Sequence, residues 1–203
     1  MTNREKMGSG ALYDANYDSD LLAERNAAKD KCQEYNNLKF SDTWGRSALL
    51  RELLGKTGKN IDIEAPFWCD YGYNIEVGNN FFANHNTVIL DGAKVKFGDN
   101  VFVAANCGFY TAGHPTDVKR RNEGLEYAWP ITVGNNVWIG SGVQVLPGVT
   151  IGNNVVIGAG SVVNKNIPDN VVAAGNPCKV LRQITDADEG IDYLEKYRQK
   201  TEQ

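Results

Sequence analysis

The chain has 203 residues and a formal net charge of −4, from 21 Lys and Arg against 25 Asp and Glu. This length fits one domain, or one domain with a small appendage. A mildly acidic chain without a basic block argues against a nucleic acid or an anionic membrane as partner. Its apolar stretches are far shorter than the roughly 20 residues of a spanning helix. The N-terminus, MTNREKMGSG, lacks the apolar core of a signal peptide, so we expect a cytoplasmic protein.

The numbers of cysteine, histidine, glycine and asparagine residues limit the kinds of site and fold further. The 4 cysteines include no C-x-x-C pair, which argues against a zinc knuckle, a thioredoxin motif or a disulfide scaffold. The only histidines are His85 and His114, so few residues qualify as a general base. With 21 Gly and 22 Asn, the chain is expected to turn often.

The N-terminal and C-terminal segments are predicted to be helical. In residues 1–60, apolar residues follow helical spacing over 21–35 and again over 49–54. We interpret this region as a packing and oligomer-contact element. Residues 183–203 are polar and charged and predict a short C-terminal helix or tail.

Between residues 61 and 182 the helical spacing gives way to a six-residue repeat. Gly or Asn follows most of the repeated aliphatic positions, and Gly-Asn-Asn and Gly-Asp-Asn triplets recur. Such a period turns one aliphatic residue inward per hexad, and we expect the Gly or Asn to take positive φ at the bend. The clearest aliphatic series is Val133, Ile139, Val145, Ile151, Ile157 and Val163.

This repeat predicts a mainly β protein built as a parallel β-helix. Three hexads make a coil of about 18 residues, and successive coils stack as parallel strands about 4.8 Å apart. Small β-branched residues are expected to fill the interior. The open ends need caps, for which the N-terminal helices and the C-terminal tail are candidates. The spacing does not determine the handedness of the coil.

One stretch, at about 110–130, interrupts the repeat with YTAGHPTDVKRRNEGLEYAWP. Phe109 and Val133 are a multiple of six residues apart, so we expect the coil to resume in register after extruding a loop. Long loops inside tightly repeating domains are usually functional.

Several motifs together resemble one family. They are GALYDAN at 10–16, NNFFAN at 79–84, TAGHP at 111–115, WPI at 129–131, VWIGS at 137–141, PGVTIG at 147–152 and AAGNPCKV at 173–180. In this combination the chain resembles the maltose and galactoside O-acetyltransferases, a branch of the hexapeptide-repeat acyltransferases. The resemblance implies a left-handed β-helix and a homotrimer with active sites between adjacent subunits. It also implies acetyl-CoA as donor, a sugar hydroxyl as acceptor and no metal.

The resemblance also implies roles for catalytic residues. His114 would be the general base that takes the hydroxyl proton, a task suited to an imidazole near neutral pH. Asn84 would contact the acceptor and the reaction centre, and the Ser141 backbone N–H would donate to the oxyanion. His85, which lies inside the repeat register, is expected to be structural or part of the cleft wall.

The candidate acceptor-binding residues are Asp14, Asp70, Asn84, Asp91 and Glu126. Asp70 stands where the galactoside enzymes carry Ser, which leaves the acceptor open. Asp91 precedes Gly92, so an ordinary turn is almost as good an interpretation. Glu126 is interpreted as orienting an acceptor or a histidine, with a solvated surface charge as the equal alternative.

The resemblance places a further set of residues along the acetyl-CoA molecule. Where the family often has Arg, this chain has Lys179, which can meet a phosphate as a point charge but not as a bidentate fork. For the charged members the alternative is a solvated surface charge. The candidates are Ala104, Trp138, Ser141, Ala159, Asn164, Lys165, Lys179 and Arg182.

The predicted function is therefore acetyl transfer from acetyl-CoA to a sugar hydroxyl, with a primary hydroxyl of maltose, glucose or a galactoside expected. A xenobiotic acetyltransferase of the same fold would share the mechanism, but the N-terminal helical region speaks against it. A non-catalytic β-helix scaffold would make the loop dispensable. A γ-type carbonic anhydrase needs three histidine ligands, and the chain has 2 histidines.

Overall fold

In the computed structural model, which describes residues 1–201, three parallel sheets form the faces of a β-helix. Face 1 contains β2 (Lys56–Thr57), β5 (Ile75–Val77), β8 (Val95–Phe97), β13 (Ile131–Val133) and β16 (Thr150–Ile151). Face 2 contains β3 (Asp62–Ile63), β6 (Phe82–Ala83), β9 (Val101–Val103), β14 (Val137–Ile139), β17 (Val155–Ile157) and β19 (Val171–Ala174). Face 3 contains β4 (Phe67–Cys69), β7 (Thr87–Leu90), β10 (Gly108–Tyr110), β15 (Gln144–Val145) and β18 (Val162–Val163).

The coils differ in length along the axis. Glu76 pairs with Lys96, 20 residues further along, in the early coils. Lys96 then pairs with Thr132, 36 residues along, and Thr132 with Thr150, 18 residues along. The long coil contains the extruded loop, and β13 returns in register with β8. The 18-residue coil of the prediction therefore describes the C-terminal part of the β-helix.

The interior contains the predicted aliphatic series, with side chains that are 0–2% exposed. The expectation of an interior of small β-branched residues is wrong for the early coils. There the rings of Phe81, Phe97 and Phe109 pack in sequence, with centroids 4.9 Å apart at each contact. A coil of 20 residues encloses more space than one of 18, and aromatic rings fill that space at normal packing density.

The corner between faces 1 and 2 is formed by repeated asparagines, and we call it the asparagine corner. Each of them has φ between 52° and 60°. The glycines that precede them in the triplets do not have positive φ, contrary to the prediction. They are required because coils approach closely: a Cβ on Gly98 would lie 2.8 Å from the Gly134 carbonyl carbon. The asparagines are Asn60, Asn80, Asn100, Asn136, Asn154 and Asn170.

Side-chain hydrogen bonds run from coil to coil along this corner. The Asn80 amide donates to Asn100 over 2.9 Å, and Asn100 donates to Asn136 over 3.1 Å. A second series lies beside it, in which the Asn79 backbone N–H donates to the Asp99 carboxylate over 2.7 Å. Each coil thus satisfies polar groups of its neighbour.

The N-terminal helices close the first coil. They are α1 (Asn3–Ser9), α2 (Ser19–Asn37) and α3 (Thr43–Leu53). The Asn36 side chain donates to the Phe67 carbonyl over 3.0 Å and accepts from the Phe67 N–H over 2.8 Å. Tyr35 and Arg46 both donate to the Ile63 carbonyl. The helices therefore satisfy strand groups that an open β-helix end would leave unpaired.

The C-terminal end is closed by an antiparallel strand, β20 (Lys179–Gln183), which pairs with β19. A short helix follows, α5 (Tyr193–Thr201), as the sequence predicted. Over residues 1–201, no helix combines the length and the apolar character needed to cross a bilayer.

Candidate active site

The functional loop leaves the β-helix at the corner between faces 3 and 1, which we call the loop corner. Its strands β11 (Ala112–Gly113) and β12 (Leu125–Ala128) pair antiparallel and are joined through α4 (Val118–Asn122). An N-terminal strand, β1 (Tyr13–Asp14), pairs with the other edge of β12. The N-terminal segment thus forms one edge of the sheet that carries the predicted base.

His114 follows β11, and its side chain is 47% exposed. Its Nδ1 lies 3.0 Å from the Leu125 carbonyl oxygen, which can only accept, so Nδ1 carries the proton. The neutral ring then has its lone pair on Nε2. This tautomer leaves Nε2 as the atom that can take a proton from a ligand.

Glu126 lies against the same imidazole. Its Oε1 is 3.7 Å from His114 Nε2, and its Oε2 accepts from the Tyr13 hydroxyl over 3.3 Å. The carboxylate is only 16% exposed, and burial raises its pKa. Of the two interpretations drawn from the sequence, the geometry supports orientation of a histidine over a solvated surface charge.

Asp70 and Asp14 also lie at the loop corner. Asp70 is half-buried and lies 3.9 Å from the Lys29 ammonium, and burial raises its pKa. Asp14 Oδ1 accepts the backbone N–H groups of Asn16 and Tyr17, at 3.1 and 2.9 Å. That Asp14 oxygen shapes the turn after β1, and Oδ2 accepts no hydrogen bond from the residues that the structure describes.

Asp91 does not have the surface that an acceptor-binding residue needs. Its side chain is fully buried, and Oδ1 accepts the backbone N–H groups of Asp70 and Tyr71 at 3.0 and 2.8 Å. Oδ2 accepts from the Asn74 N–H over 3.3 Å. Burial raises the pKa of Asp91 to about 6. The expectation from the sequence that Asp91 contacts the acceptor is therefore wrong. Asp91 has a structural role instead, because it fixes the turn that carries Asp70.

The corner between faces 2 and 3, which we call the Ser141 corner, carries the predicted hydrogen-bond donors. Asn84 Oδ1 accepts the His85 N–H over 2.7 Å, which orients the amide. Its Nδ2 has no acceptor among residues 1–201. Ser141 is exposed, and its carbonyl accepts from Gly160, while its own N–H has no acceptor in the described part of the chain. Both donors are therefore available to a ligand.

Other predicted residues lie beside this corner. Ala104 and Ala159 occupy the coils on either side of Ser141, as the pairing of β9, β14 and β17 requires. Trp138 projects from β14 with its side chain 56% exposed. His85 donates from Nδ1 to the Ala65 carbonyl over 2.5 Å and packs edge-on against Phe40. This contact gives His85 the structural role that the sequence favoured.

The two sets of groups are on different corners of one chain. Face 3 separates them, since β7 connects Asn84 on one side to Asp91 on the other. Seven residues of nearly extended chain span about 20 Å. A single chain therefore does not bring Asn84 and Ser141 to His114.

The predicted phosphate contacts are also dispersed. Asn164 and Lys165 are exposed and follow β18, and Lys179 is exposed at the start of β20. Arg182 is already engaged, because its guanidinium donates to both oxygens of Asp188 at 2.7 and 2.9 Å. This pair weakens the expectation that Arg182 contacts CoA, since a phosphate would have to displace the carboxylate.

Sequence reasoning missed Tyr13 as a site residue. The residue is part of the GALYDAN motif, and nothing in that motif reveals the partner of its hydroxyl. Its strand pairs with a segment more than 100 residues away, and that pairing exists only in the folded chain.

Comparisons with known proteins agree with this architecture. The maltose acetyltransferase hexapeptide capping motif matches residues 6–58, and the bacterial transferase hexapeptide motif matches residues 130–165. A putative acetyltransferase of Saccharomyces cerevisiae is 62% identical over 91% of this chain and 94% of its own length. The chain belongs to the maltose and galactoside acetyltransferase family. It is an acetyltransferase of hexapeptide-repeat type, which contradicts the scaffold alternative.

Two solved structures of this acetyltransferase family are similar over almost the whole chain. A maltose O-acetyltransferase from Clostridium difficile 630 is 52% identical over 92% of this chain and 99% of its own, with a TM-score of 0.90. A galactoside acetyltransferase in complex with coenzyme A is 44% identical over 95% and 96%, with a TM-score of 0.91. Within residues 1–201, no three or more His, Cys, Asp or Glu side chains are grouped to hold a metal ion.

Proposed function

We propose that this acetyltransferase transfers acetyl from acetyl-CoA to a sugar hydroxyl, in a homotrimer with three shared active sites. In each site the loop corner of one subunit would face the Ser141 corner of the next. The observation that carries the proposal is the division of the machinery within one chain. A base with a fixed tautomer lies at one corner, and two donors that lack an acceptor among residues 1–201 lie at another.

The outer surfaces of faces 1 and 2 support such an assembly. On face 2 an apolar row crosses the coils in register, and Phe102 in this row is 51% exposed. Face 1 instead presents charged and hydroxyl side chains. The apolar row is Phe82, Phe102, Trp138, Val156 and Val172, and the polar row is Lys56, Glu76, Lys96, Thr132 and Thr150. Burying Phe82 and Phe102 of this row against another subunit would remove exposed aromatic surface from water and leave Trp138 for a ligand.

The chemistry begins at His114. Nε2 accepts the proton of the sugar hydroxyl, and the Leu125 carbonyl holds the proton on Nδ1. The imidazolium that forms is stabilised by the Glu126 carboxylate at 3.7 Å. The hydroxyl oxygen then attacks the thioester carbonyl carbon directly, so no covalent enzyme intermediate is needed.

The negative charge that develops on the carbonyl oxygen needs donors already in place. The Ser141 N–H and Asn84 Nδ2 of the adjacent subunit supply them, since neither group has an acceptor within its own described chain. Collapse of the tetrahedral intermediate breaks the C–S bond. The CoA thiolate then takes the proton from His114.

The acetyl-CoA molecule would extend from this point toward later coils. The exposed Trp138 ring offers a surface for its pantetheine arm, together with Ala104, Ala159 and Asn164. Lys165 and Lys179 offer point charges for its phosphates. Maltose, glucose, galactosides and cell-envelope sugars all provide the required hydroxyl as acceptor.

An acceptor screen tests the reaction. The purified protein is incubated with acetyl-CoA and each sugar, and release of the CoA thiol is measured. We expect turnover with at least one sugar and loss of turnover in His114→Ala. Turnover with amine or hydroxyl drugs but with no sugar would instead favour the xenobiotic alternative.

Subunit mixing tests the shared site. His114→Ala and Asn84→Ala proteins are each expected to have little activity alone. After they are unfolded together and reassembled at equal concentration, about one quarter of the sites should combine an intact His114 with an intact Asn84. Activity that stays at the level of the separate variants would place the whole site within one chain. Sedimentation should give a mass of about three times 22.3 kDa.

A further inference from the structure

The N-terminal strand brings a buried phenol to the catalytic loop. Tyr13 and Glu126 are direct partners in the antiparallel pairing of β1 and β12, so their side chains lie on the same side of that sheet. Tyr13 is 2% exposed, and its hydroxyl donates to Glu126 Oε2 over 3.3 Å. The other Glu126 oxygen faces His114 Nε2. Glu126 therefore lies between the Tyr13 hydroxyl, to which it is hydrogen-bonded, and His114 Nε2 at 3.7 Å.

The charge of Glu126 depends on groups from several elements. Burial raises the pKa of Glu126 most, and the Asp70 charge on the turn after β4 acts in the same direction. His114 on the loop, the Tyr13 hydroxyl and Arg25 on α2 act in the opposite direction. The groups that favour the charged form of Glu126 are thus a few specific side chains rather than water.

Tyr13 itself stays a neutral donor. Burial raises the pKa of Tyr13 far above its usual value, and the Glu126 charge adds to this. Near neutral pH the phenol therefore keeps its proton and always presents O–H to the carboxylate.

We propose that Tyr13 is a positioning residue, which holds the Glu126 carboxylate in place and directed at His114 and so couples the N-terminal segment to the catalytic base. The consequence for the rate rests on the proposed function, whereas the coupling between the three side chains does not. A hydroxyl that donates to a carboxylate stabilises its charged form, and the charged form stabilises the imidazolium.

Removal of the Tyr13 hydroxyl has effects of definite sign. The Glu126 carboxylate loses a donor and becomes easier to protonate. The imidazolium of His114 then loses part of its stabilisation, so the ring gives up its proton at lower pH. The rate at the high-pH plateau should fall, because the base is weaker, and the acid limb of the pH–rate profile should move to lower pH.

The test compares Tyr13→Phe with Tyr71→Phe. Tyr71 belongs to the same buried cluster, and its hydroxyl has no hydrogen-bond partner in the part of the chain that the structure describes. The two variants therefore remove one hydroxyl that has a hydrogen-bond partner and one that has none among the described residues, from the same buried cluster. We expect kcat to fall about tenfold in Tyr13→Phe, in line with loss of a hydrogen bond to a charged group, and less than twofold in Tyr71→Phe.

An acceptor-independent measurement separates this proposal from the proposed function. The ring protons of His114 are titrated by NMR, with His85 as the reference, since the chain has no other histidine. We expect the His114 midpoint to move to lower pH in Tyr13→Phe and in Glu126→Gln, and to stay in place in Tyr71→Phe. Adding Tyr13→Phe to Glu126→Gln should change little, because both act through the same charge.

Each outcome bears on one of the two proposals. A His114 titration that is the same in Tyr13→Phe and Tyr71→Phe would overturn the coupling, whatever the acceptor. A shifted titration in a protein that acetylates no sugar would retain the coupling and overturn the proposed function. If Tyr13→Phe does not assemble, an unshifted His114 titration in Glu126→Gln would still overturn the coupling.

Discussion

The asparagine corner and the loop corner belong to the same coils but have different roles. At the asparagine corner each coil repeats one local arrangement, and its amides bond to the coils above and below. At the loop corner the repeat is interrupted, and polar groups of the loop bond to the N-terminal segment and to one another. Regular repetition satisfies polar groups and stabilises the fold. Interruption leaves a nitrogen lone pair and a buried carboxylate available for chemistry.

This difference implies that the two corners respond differently to substitution. Changes at the loop corner should affect the rate, the stability or both, depending on whether the side chain faces a ligand or the backbone. Changes at the asparagine corner should affect only stability. Three substitutions test this division, in order of expected effect.

His114→Ala should cause the largest change. Loss of the general base is expected to lower kcat about 10²–10⁴-fold, with the trimer and the KM for acetyl-CoA almost unchanged. The half-exposed ring contributes little to the aliphatic interior. Steady-state kinetics measures kcat and the KM for acetyl-CoA, and sedimentation measures whether the trimer is retained. His85→Ala is the control, and a larger rate loss there than in His114→Ala would move the base to the Ser141 corner.

Asp91→Ala should cause the largest loss of stability. It leaves the N–H groups of Asp70, Tyr71 and Asn74 without their acceptor, and we expect the free energy of unfolding to fall by about 3 kcal/mol or more. Urea denaturation of the trimer at a fixed protein concentration measures this. Unchanged stability together with a higher acceptor KM would instead support the direct substrate contact expected from the sequence.

The raised pKa of Asp91 also predicts that the stability of the protein depends on pH. The folded-state pKa of about 6 lies above the ordinary value for Asp, so the folded state holds a proton that the unfolded state has released. The contribution of Asp91 to stability should therefore fall as the pH rises from about 4 to about 6 and stay level above that. The difference in unfolding free energy between the wild type and Asp91→Ala, measured across this range, shows whether Asp91 is the source.

Asn100→Ala should cause the smallest change, and only in stability. The substitution removes two side-chain hydrogen bonds and puts alanine at φ 56°. We expect a loss of about 1–2 kcal/mol, with kcat unchanged. Asn100→Gly is the matched variant, since it removes the same bonds but tolerates the φ, and it should lose less. Equal losses would show that the hydrogen bonds, rather than the backbone conformation, determine the preference for asparagine.

Much of the fold could be predicted because its signals are local. The spacing of Val133, Ile139 and Val145 predicts inward-facing positions without any knowledge of distant residues, and these side chains are buried. Re-entry of the chain at β13 also follows from counting residues. The resemblance pointed to His114 because its motif is contiguous in the sequence.

The site could be predicted only in part, because its contacts join segments that are remote in sequence. Asp91 has the sequence signature of a turn or a ligand, and only the folded backbone shows three N–H groups converging on it. Arg182 has the signature of a phosphate contact, but it lies beside Asp188. The glycines of the triplets have the signature of positive φ, whereas the close approach of the next coil is what requires them.

The sequence by itself determined the repeat, the β-helix and the residue types of an acetyltransferase, because each depends on periodicity or on a short contiguous motif. The tertiary structure decided which of these residues meet. It put Tyr13 against Glu126 and Glu126 against His114, and it put Asn84 and Ser141 on another corner. Strand pairing and coil stacking set these distances, and both arise from contacts between segments that the sequence keeps far apart.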